Sequence, residues 1–228
     1  MTPFSILVFA KNEEANLPFV TDRLLEHYAA DKILFVLDGN VAPSAGILCD
    51  RKIRFLRGTG QGKGAAIRMA IREVESDILV FMDADGSHDP AEIKDLLAPM
   101  AGSQVALVIG SRFLGSSEEF HGNVSDKIRY LGNVTGNVII NRLWNRTGRK
   151  ITDAQDGFRS VRRSIFLTLG LEENGFSIEQ EMVIRCLKKG YDIREVPSRE
   201  GKRVSGRSHI SPLHFFCYVG CLIRNWVC

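Results

Sequence analysis

Apolar residues along this chain fall in short unbroken runs, each closed by a polar or glycine-rich stop. Residues 5–10 (SILVFA) end at Lys11-Asn12-Glu13-Glu14, and residues 32–37 (KILFVL) end at Asp38-Gly39-Asn40. A shorter run at 53–56 leads into Gly58-Thr59-Gly60-Gln61-Gly62-Lys63-Gly64. Residues 78–82 (ILVFM) stop at Asp83-Ala84-Asp85, and 105–109 (VALVI) at Gly110-Ser111-Arg112. Runs of this length, rich in Ile and Val, predict strands buried on both faces. Between them the period changes to that of a helix, over 16–30, 65–74 and 90–100. Ile67, Ala70, Ile71 and Val74 share one face of the second. Asp89 as N-cap, Pro90 at the first helical position and Glu92 three residues after the cap start the third. Alternating strand and helix predicts an α/β fold, a doubly wound and mostly parallel sheet flanked by helices. Its site should lie at the carboxyl ends of the strands.

The second half is less regular. An apolar stripe of Ile128, Leu131, Val134, Val138, Ile139 and Leu143 predicts a helix over 127–146. Residues 153–159 (DAQDGFR) are rich in turn formers, 177–189 read as a helix holding Glu179 and Glu181, and 191–196 as an edge strand closed by Pro197. A basic, glycine-containing loop follows at 199–209 (REGKRVSGRSH), then an apolar, aromatic tail. The organisation expected is one domain over 1–209 with a tail over 210–228. His214, Arg224 and Asn225 interrupt the tail, which is short of the roughly 20 apolar residues a membrane span needs. It can instead lie in a membrane interface as an amphipathic helix, through Phe215, Phe216, Tyr218, Val219, Leu222, Ile223 and Trp226. Packing on the core or in a dimer interface is the alternative.

Composition narrows the partners. A formal charge of +3 on 228 residues is too small to argue for nucleic acid, and none is expected. The five cysteines are irregularly spaced and make neither a disulfide framework nor a zinc pattern. Together with the lack of a signal-peptide pattern, they point to a reducing, cytoplasmic setting.

The candidate chemistry centres on Asp83 and Asp85. Two carboxylates that close repel each other unless positive charge sits between them. A hard divalent cation, Mg²⁺ or Mn²⁺, suits oxygen ligands and leaves positions for a diphosphate. The Gly58–Gly64 segment is not a Walker A loop, because Gly64 follows Lys63 where Ser or Thr is needed, and it lacks the dinucleotide spacing. It is either a flexible turn before a helix or a place where Lys63 and the helix amino end face phosphates.

Taken in order, KNEEANL, LDGN, GQGKGAAIRMAI, DADGSHDPAEI, GSRF, DAQDGFR, E-x-E and RVSGRS resemble the family-2 glycosyltransferases of GT-A fold. The resemblance spans about residues 4–209 and is strongest to polyprenyl-phosphate (dolichyl-phosphate) mannose or glucose synthases. It implies a nucleotide sugar, a UDP- or GDP-hexose, met by Phe9, Lys11, Glu13, Asp38, Lys63, Asp83, Ala84 and Asp85. Asp83 and Asp85 would hold the Mg²⁺ or Mn²⁺. Arg112, Arg129, Asn133, Arg159, Arg203 and Ser208 would meet the phosphate of a polyprenyl phosphate acceptor. Asp85, Arg112, Asp153 and Arg203 would be the catalytic set, and transfer would invert the anomeric carbon. A lipid acceptor implies a membrane surface, so the chain would sit peripherally on its cytoplasmic face.

Several positions depart from the family pattern. Leu37 replaces the first of two acids after the second strand, and Phe9 and Lys11 stand where proline and tyrosine are common. Ser87 replaces a metal-supporting glutamine, and His209 a lysine. DADG and the D-x-Q-x-G-F pattern lean towards glucose; sugar, nucleotide and oligomeric state stay open.

Elementary chemistry agrees with this reading. A departing nucleoside diphosphate needs its charge neutralised, as a carboxylate-bound metal does. A phosphate monoester has a second pKa of about 6, so it needs no general base near neutrality but does need cations. Arg112, Arg129, Arg159, Lys202, Arg203 and Arg207 supply them. A hydroxyl acceptor would need a carboxylate base, Asp153 or Asp156. Arg159 has the competing role of a structural ion pair with Asp153 or Asp156, Glu179 and Glu181 that of a solvated helix start. No catalytic role is expected for His88 or His121. Two alternatives remain: the same donor with a soluble phosphorylated or saccharide acceptor, and a non-catalytic sugar-nucleotide-binding subunit. The acid pair argues against the second.

Overall fold

The computed structural model describes residues 2–102, 104–118, 124–206 and 214–227. Its strands are β1 (Phe4–Lys11), β2 (Ile33–Asp38), β3 (Arg54–Arg57), β4 (Ile78–Asp83), β5 (Val105–Ser117), β6 (Arg159–Arg162) and β7 (Asp192–Glu200). Its helices are α1 (Leu17–His27), α2 (Val41–Asp50), α3 (Lys63–Ala70), α4 (Ile93–Leu97), α5 (Val124–Leu143), α6 (Arg163–Thr168), α7 (Ile178–Lys188) and α8 (His214–Val227). The strands form one sheet in the order β3-β2-β1-β4-β6-β5-β7. Only β6 runs antiparallel to its neighbours β4 and β5.

The unbroken apolar runs are explained by burial on both faces. Ile6, Val8, Ile78, Val80 and Met82 enter one cluster with Leu17, Val20 and Leu24 of α1. Leu7, Phe9, Leu79 and Phe81 enter the other with Ile67 of α3 and Ile178, Met182 and Val183 of α7. Alternate residues of each parallel strand thus feed opposite layers, as period 2 requires. That parity also aims the last residue of β4. Asp83 follows Leu79 and Phe81 towards the layer of α3 and α7.

Several elements differ from the sequence expectation. The helix expected over 65–74 starts earlier, at Lys63, and tightens into a 3₁₀ turn over Ile71–Glu73. The one expected over 90–100 is a short α4 between two 3₁₀ turns, the second containing Pro99. β7 runs through Pro197, which an edge strand tolerates because one side needs no N–H donor. Neither α2, α6 nor β6 was foreseen. β6 is four residues long with an arginine at each end, a pattern without an apolar run to announce it.

Candidate active site

The carboxyl ends of β1, β2 and β4 bring Glu13, Asp38, Asp83 and Asp85 to one edge of the sheet. Asp83 receives the Lys63 ammonium at 2.7 Å through Oδ1 and 2.9 Å through Oδ2. The same Nζ lies 2.8 Å from Glu179 Oε1 at the start of α7. Burial alone would lower the lysine pKa, but Asp83 and Glu179 outweigh it and raise it. Gly157 makes this convergence possible. A Cβ there would stand 2.6 Å from Lys63 Nζ and 3.0 Å from Asp83 Oδ2.

Asp85 has different partners. β4 ends at Asp83, so the alternation that relates residues i and i+2 does not extend into the turn. The Asp85 carboxylate accepts from Ser87 N at 2.9 Å and Ser87 Oγ at 2.7 Å, and pairs with Arg203 Nη2 at 2.9 Å. Burial pushes its pKa up, yet Arg203 and the Ser87 bonds prevail and hold it below the usual range. Arg203 Nη1 also bonds Glu13 Oε1 at 2.9 Å. The segment carrying Arg203 lies along the turn after β4. Gly201 N donates to Ser87 O at 2.8 Å and Val204 N to Asp85 O at 3.0 Å, while Asn16 Nδ2 donates to Ser205 O at 3.2 Å. Residues 201–205 of the basic loop therefore lie against the turn that carries Asp85. At the end of β2, Asp38 Oδ1 accepts from Gly60 N at 3.0 Å. The missing Cβ of Gly58 leaves room for that carboxylate, which a side chain there would push aside.

A second constellation surrounds Arg112 of β5. Its Nε and Nη2 bond Asp153 at 2.8 and 2.9 Å, Nε lies 3.1 Å from Asp156 Oδ2, and Nη1 lies 3.4 Å from Glu200 Oε1. The ring of His88 stacks on Phe158 at 4.7 Å, with Nε2 3.6 Å from Asp156 Oδ1. Burial pushes Asp156 up to about 7 in spite of the opposing charges of Arg112 and His88, with Asp153 and Glu200 adding to the rise. Burial lowers the Arg112 pKa, but Asp153, Asp156 and Glu200 raise it well above its ordinary value.

Two residues expected at the ligands are built into the interior instead. Phe9 packs edge-on against Phe81 in the core, with centroids 5.9 Å apart. Arg159 is 0% exposed and donates to the backbone carbonyls of Asp156, Ala154 and Glu179, burial lowering its pKa. Its length lets it satisfy carbonyls of a buried turn that lacks regular structure. Ala84 is buried, its N–H bonded to Phe9 O at 3.1 Å. Lys11 is exposed at the end of β1, and Arg129 and Asn133 are half-buried on α5. Asn137, one turn further, holds the 153–158 turn by accepting from Ala154 N at 3.0 Å. His121, Arg207, Ser208 and His209 lie outside the described residues.

The Lys63–Glu179 pair and the His88–Asp156 contact are what sequence reading missed. A period-3.6 pattern places Glu179 at a helix start but says nothing of the buried lysine opposite. The D-x-D followed by S-H-D was the only hint that His88 stands close to the site.

Among the described residues, no group of three or more His, Cys, Asp or Glu side chains is arranged to cage a metal. Asp83 and Asp85 supply hard carboxylate donors at a point that already holds two organic cations. That donor set fits Mg²⁺ or Mn²⁺, which are commonly held by one or two carboxylates while substrate phosphates and water fill the rest.

The tail helix packs on α7. Gln180 Nε2 donates to Tyr218 O at 2.9 Å and Lys188 Nζ to Asn225 O at 2.9 Å. Cys221 and Asn225 are buried, whereas Phe216, Ile223, Trp226 and Val227 are exposed on the opposite face. Tyr130, Leu131 and Val138 of α5 are also exposed. No helix among the described residues is long and apolar enough to cross a membrane.

Comparison with known proteins gives a consistent picture. The family model described as "Glycosyl transferase family 2" matches residues 5–170. Glycosyltransferase AglJ of Haloferax volcanii is 30% identical over 65% of this chain, which spans 46% of that relative, under half its length. Undecaprenyl-phosphate mannosyltransferase of Micrococcus luteus is 29% identical over 88% of this chain and 84% of its own. Among solved structures, glucosyl-3-phosphoglycerate synthase of Mycobacterium tuberculosis, in complex with Mn²⁺, UDP-glucose and phosphoglyceric acid, superposes with a TM-score of 0.73. It is 18% identical, covering 98% of this chain and 79% of that one.

Proposed function

The chain belongs to glycosyl transferase family 2, and from that membership we propose that it transfers a hexose, mannose or glucose, from a UDP- or GDP-sugar to a polyprenyl phosphate. It is a glycosyltransferase of GT-A fold; donor and acceptor belong to the proposal. The observation that carries it is the acid pair at the end of β4, where Lys63 and Arg203 stand against Asp83 and Asp85. Cations gathered on an acid pair mark a place where positive charge is in demand and where an anionic ligand can take over the cations.

In this reading Asp83 and Asp85 hold Mg²⁺ or Mn²⁺, which when bound supplies Lewis-acid neutralisation of the departing diphosphate. Glu13 and Asp38 orient the nucleoside through its hydroxyl and amine donors. Arg203 lies on a covering segment and can move from Asp85 and Glu13 onto phosphate oxygens without leaving the site. Arg112 is already engaged by three acids. Its part is to fix the 153–156 turn at the edge of the site. The acceptor phosphate then depends on Arg203, on Arg129 and on the exposed Lys202 and Arg199.

The lipid acceptor is supported by the Micrococcus luteus relative, named as an undecaprenyl-phosphate enzyme, and by the exposed apolar face of α8. We infer peripheral attachment through that face. Deleting α8 would also strip α7 of its partner, so the cleaner variant is Ile223→Ser/Trp226→Ser; unchanged liposome flotation would remove the attachment. A soluble acceptor is the second reading. The solved glucosyl-3-phosphoglycerate synthase, in complex with UDP-glucose and phosphoglyceric acid, favours it.

The test incubates the full chain with labelled UDP- and GDP-sugars, Mn²⁺ or Mg²⁺, and a short polyprenyl phosphate. Label in the organic phase is expected. Label only in a water-soluble product would favour the second reading, and no cation-dependent transfer from any donor would overturn both.

A further inference from the structure

Lys63 shares one ammonium between two acids of different standing. The Asp83 side chain is 34% exposed, while those of Lys63 and Glu179 are 8% and 3% exposed. Glu179 uses Oε1 for the lysine, and its Oε2 has no hydrogen-bond partner among the described residues. A buried carboxylate with an idle oxygen is costly and calls for a reason. Packing does not provide one, because a glutamine would fill the same volume without the charge.

We propose that Glu179 is a positioning residue that receives the Lys63 ammonium when a divalent cation takes Asp83. The inference rests on the metal-site reading above. Were Asp83 to hold a divalent cation on its exposed side, the Lys63 ammonium would be repelled towards its buried side. Glu179 lies 2.8 Å from Nζ on that inner side, and its idle Oε2 completes a two-oxygen seat. Without Glu179, metal binding would strand a buried ammonium with no counter-charge, which is strongly unfavourable. Lys63 would then hold on to Asp83 and compete with the metal. The missing Cβ at Gly157, 2.6 Å from Nζ if present, leaves the ammonium room to shift. Lys63 thereby keeps the acid pair neutralised until the metal arrives and stays paired afterwards.

The experiment is a Mn²⁺ titration of the full chain followed by electron paramagnetic resonance, with UDP and with GDP in separate arms and no sugar transfer measured. Glu179→Gln is expected to weaken Mn²⁺ binding by about tenfold, within the range of coupling between contacting charged residues. Lys63→Met, lacking the competing cation, should bind at least as tightly as the wild type. The double variant should return to within about threefold of the wild type, since neighbouring sites are non-additive when they act through each other. Wild-type binding that Glu179→Gln leaves unchanged would overturn this inference alone. So would a double variant as weak as Glu179→Gln. No Mn²⁺ bound by the wild type in either arm would overturn the metal site and the inference together. If Glu179→Gln does not fold, Lys63→Met decides: tenfold weaker binding means that Lys63 supports the metal rather than yielding to it, and the inference falls.

Discussion

Around the acid pair, Lys63 and Arg203 each serve two carboxylates; around Arg112, three carboxylates crowd one guanidinium. The two constellations use the same residue types and lie on the same edge of the sheet. They differ in access. Asp83 is partly open and Arg203 sits on a covering segment, while Asp153 and Asp156 are buried beneath the turn they belong to. Replaceable counter-ions suit a site that must accept a charged ligand and release it. A sealed nest suits a scaffold, and its excess negative charge is relieved by the rise in the Asp156 pKa.

The strongest way to break this contrast is to neutralise the acid pair. Asp85→Asn should lower sugar transfer by about 10²–10³-fold, the usual scale for removing a main electrostatic stabiliser of a developing charge. Thermal stability should change far less, because Asn keeps the bonds from Ser87. A variant as active as the wild type in initial-rate assays would mean that the acid pair is not the donor site.

The reverse pattern is expected at the nest. Arg112→Ala leaves the buried Asp153 and Asp156 and the half-buried Glu200 without their guanidinium, and breaking a buried ion pair costs about 3–5 kcal/mol. For a chain of this size about 2–4 °C of melting temperature is lost per kcal/mol, so calorimetry should record a fall of about 10 °C. Arg203→Ala should lose much less stability, because Asp85 keeps its bonds from Ser87 and Glu13 its bond from Asn16, yet it should raise the KM for the sugar nucleotide. Equal losses of stability would erase the distinction between exchangeable and sealed cations.

These differences explain how much was legible in the residues alone. Strand ends announced the acid pair: runs such as ILVFM stopping at Asp83-Ala84-Asp85 fix both the element and the edge it points to. The nest was not legible in the same way. Asp153, Asp156, Arg112 and Glu200 come from three separate segments, and no periodic pattern states which acid will meet which arginine. Arg159 illustrates the limit. Its motif resembles an acceptor contact, but its environment is a turn full of unsatisfied carbonyls, a demand visible only once the backbone is folded.

A smaller effect separates the regions by pH. Asp156 has a folded pKa of about 7, above the unfolded value of about 4 for an aspartate. A group bound more tightly to its proton in the folded state contributes stability that is present below the unfolded pKa and lost as pH rises through the folded one. Stability should therefore decline between about pH 4 and 7, and Asp156→Asn should flatten that part of the profile. Asp85, with its pKa lowered, contributes in the opposite sense, and its share is lost only as the solution becomes more acidic than the ordinary carboxylate range. A melting profile that stays sloped over this window in Asp156→Asn would assign the dependence elsewhere.

The smallest change tests whether His88 belongs to the nest electrically or only by shape. Its ring lies 4.7 Å from Phe158 at an interplanar angle of 13°, a packing that a phenyl ring can reproduce. Its Nε2 is 3.6 Å from Asp156 Oδ1, and its charge acts to lower the Asp156 pKa. His88→Phe keeps the stack and removes that charge, so the midpoint of the Asp156-dependent decline should move upward by less than about one pH unit. Arg112, Asp153 and Glu200 still face the carboxyl and set most of its environment, which is why the shift is small. Sugar transfer at pH 7.5 should stay within about twofold, since sealed charges act on the reaction only through the turn they hold. An unmoved midpoint would make His88 a packing residue. A loss of transfer comparable to that of Asp85→Asn would instead draw His88 into the open site and dissolve the boundary between the two regions.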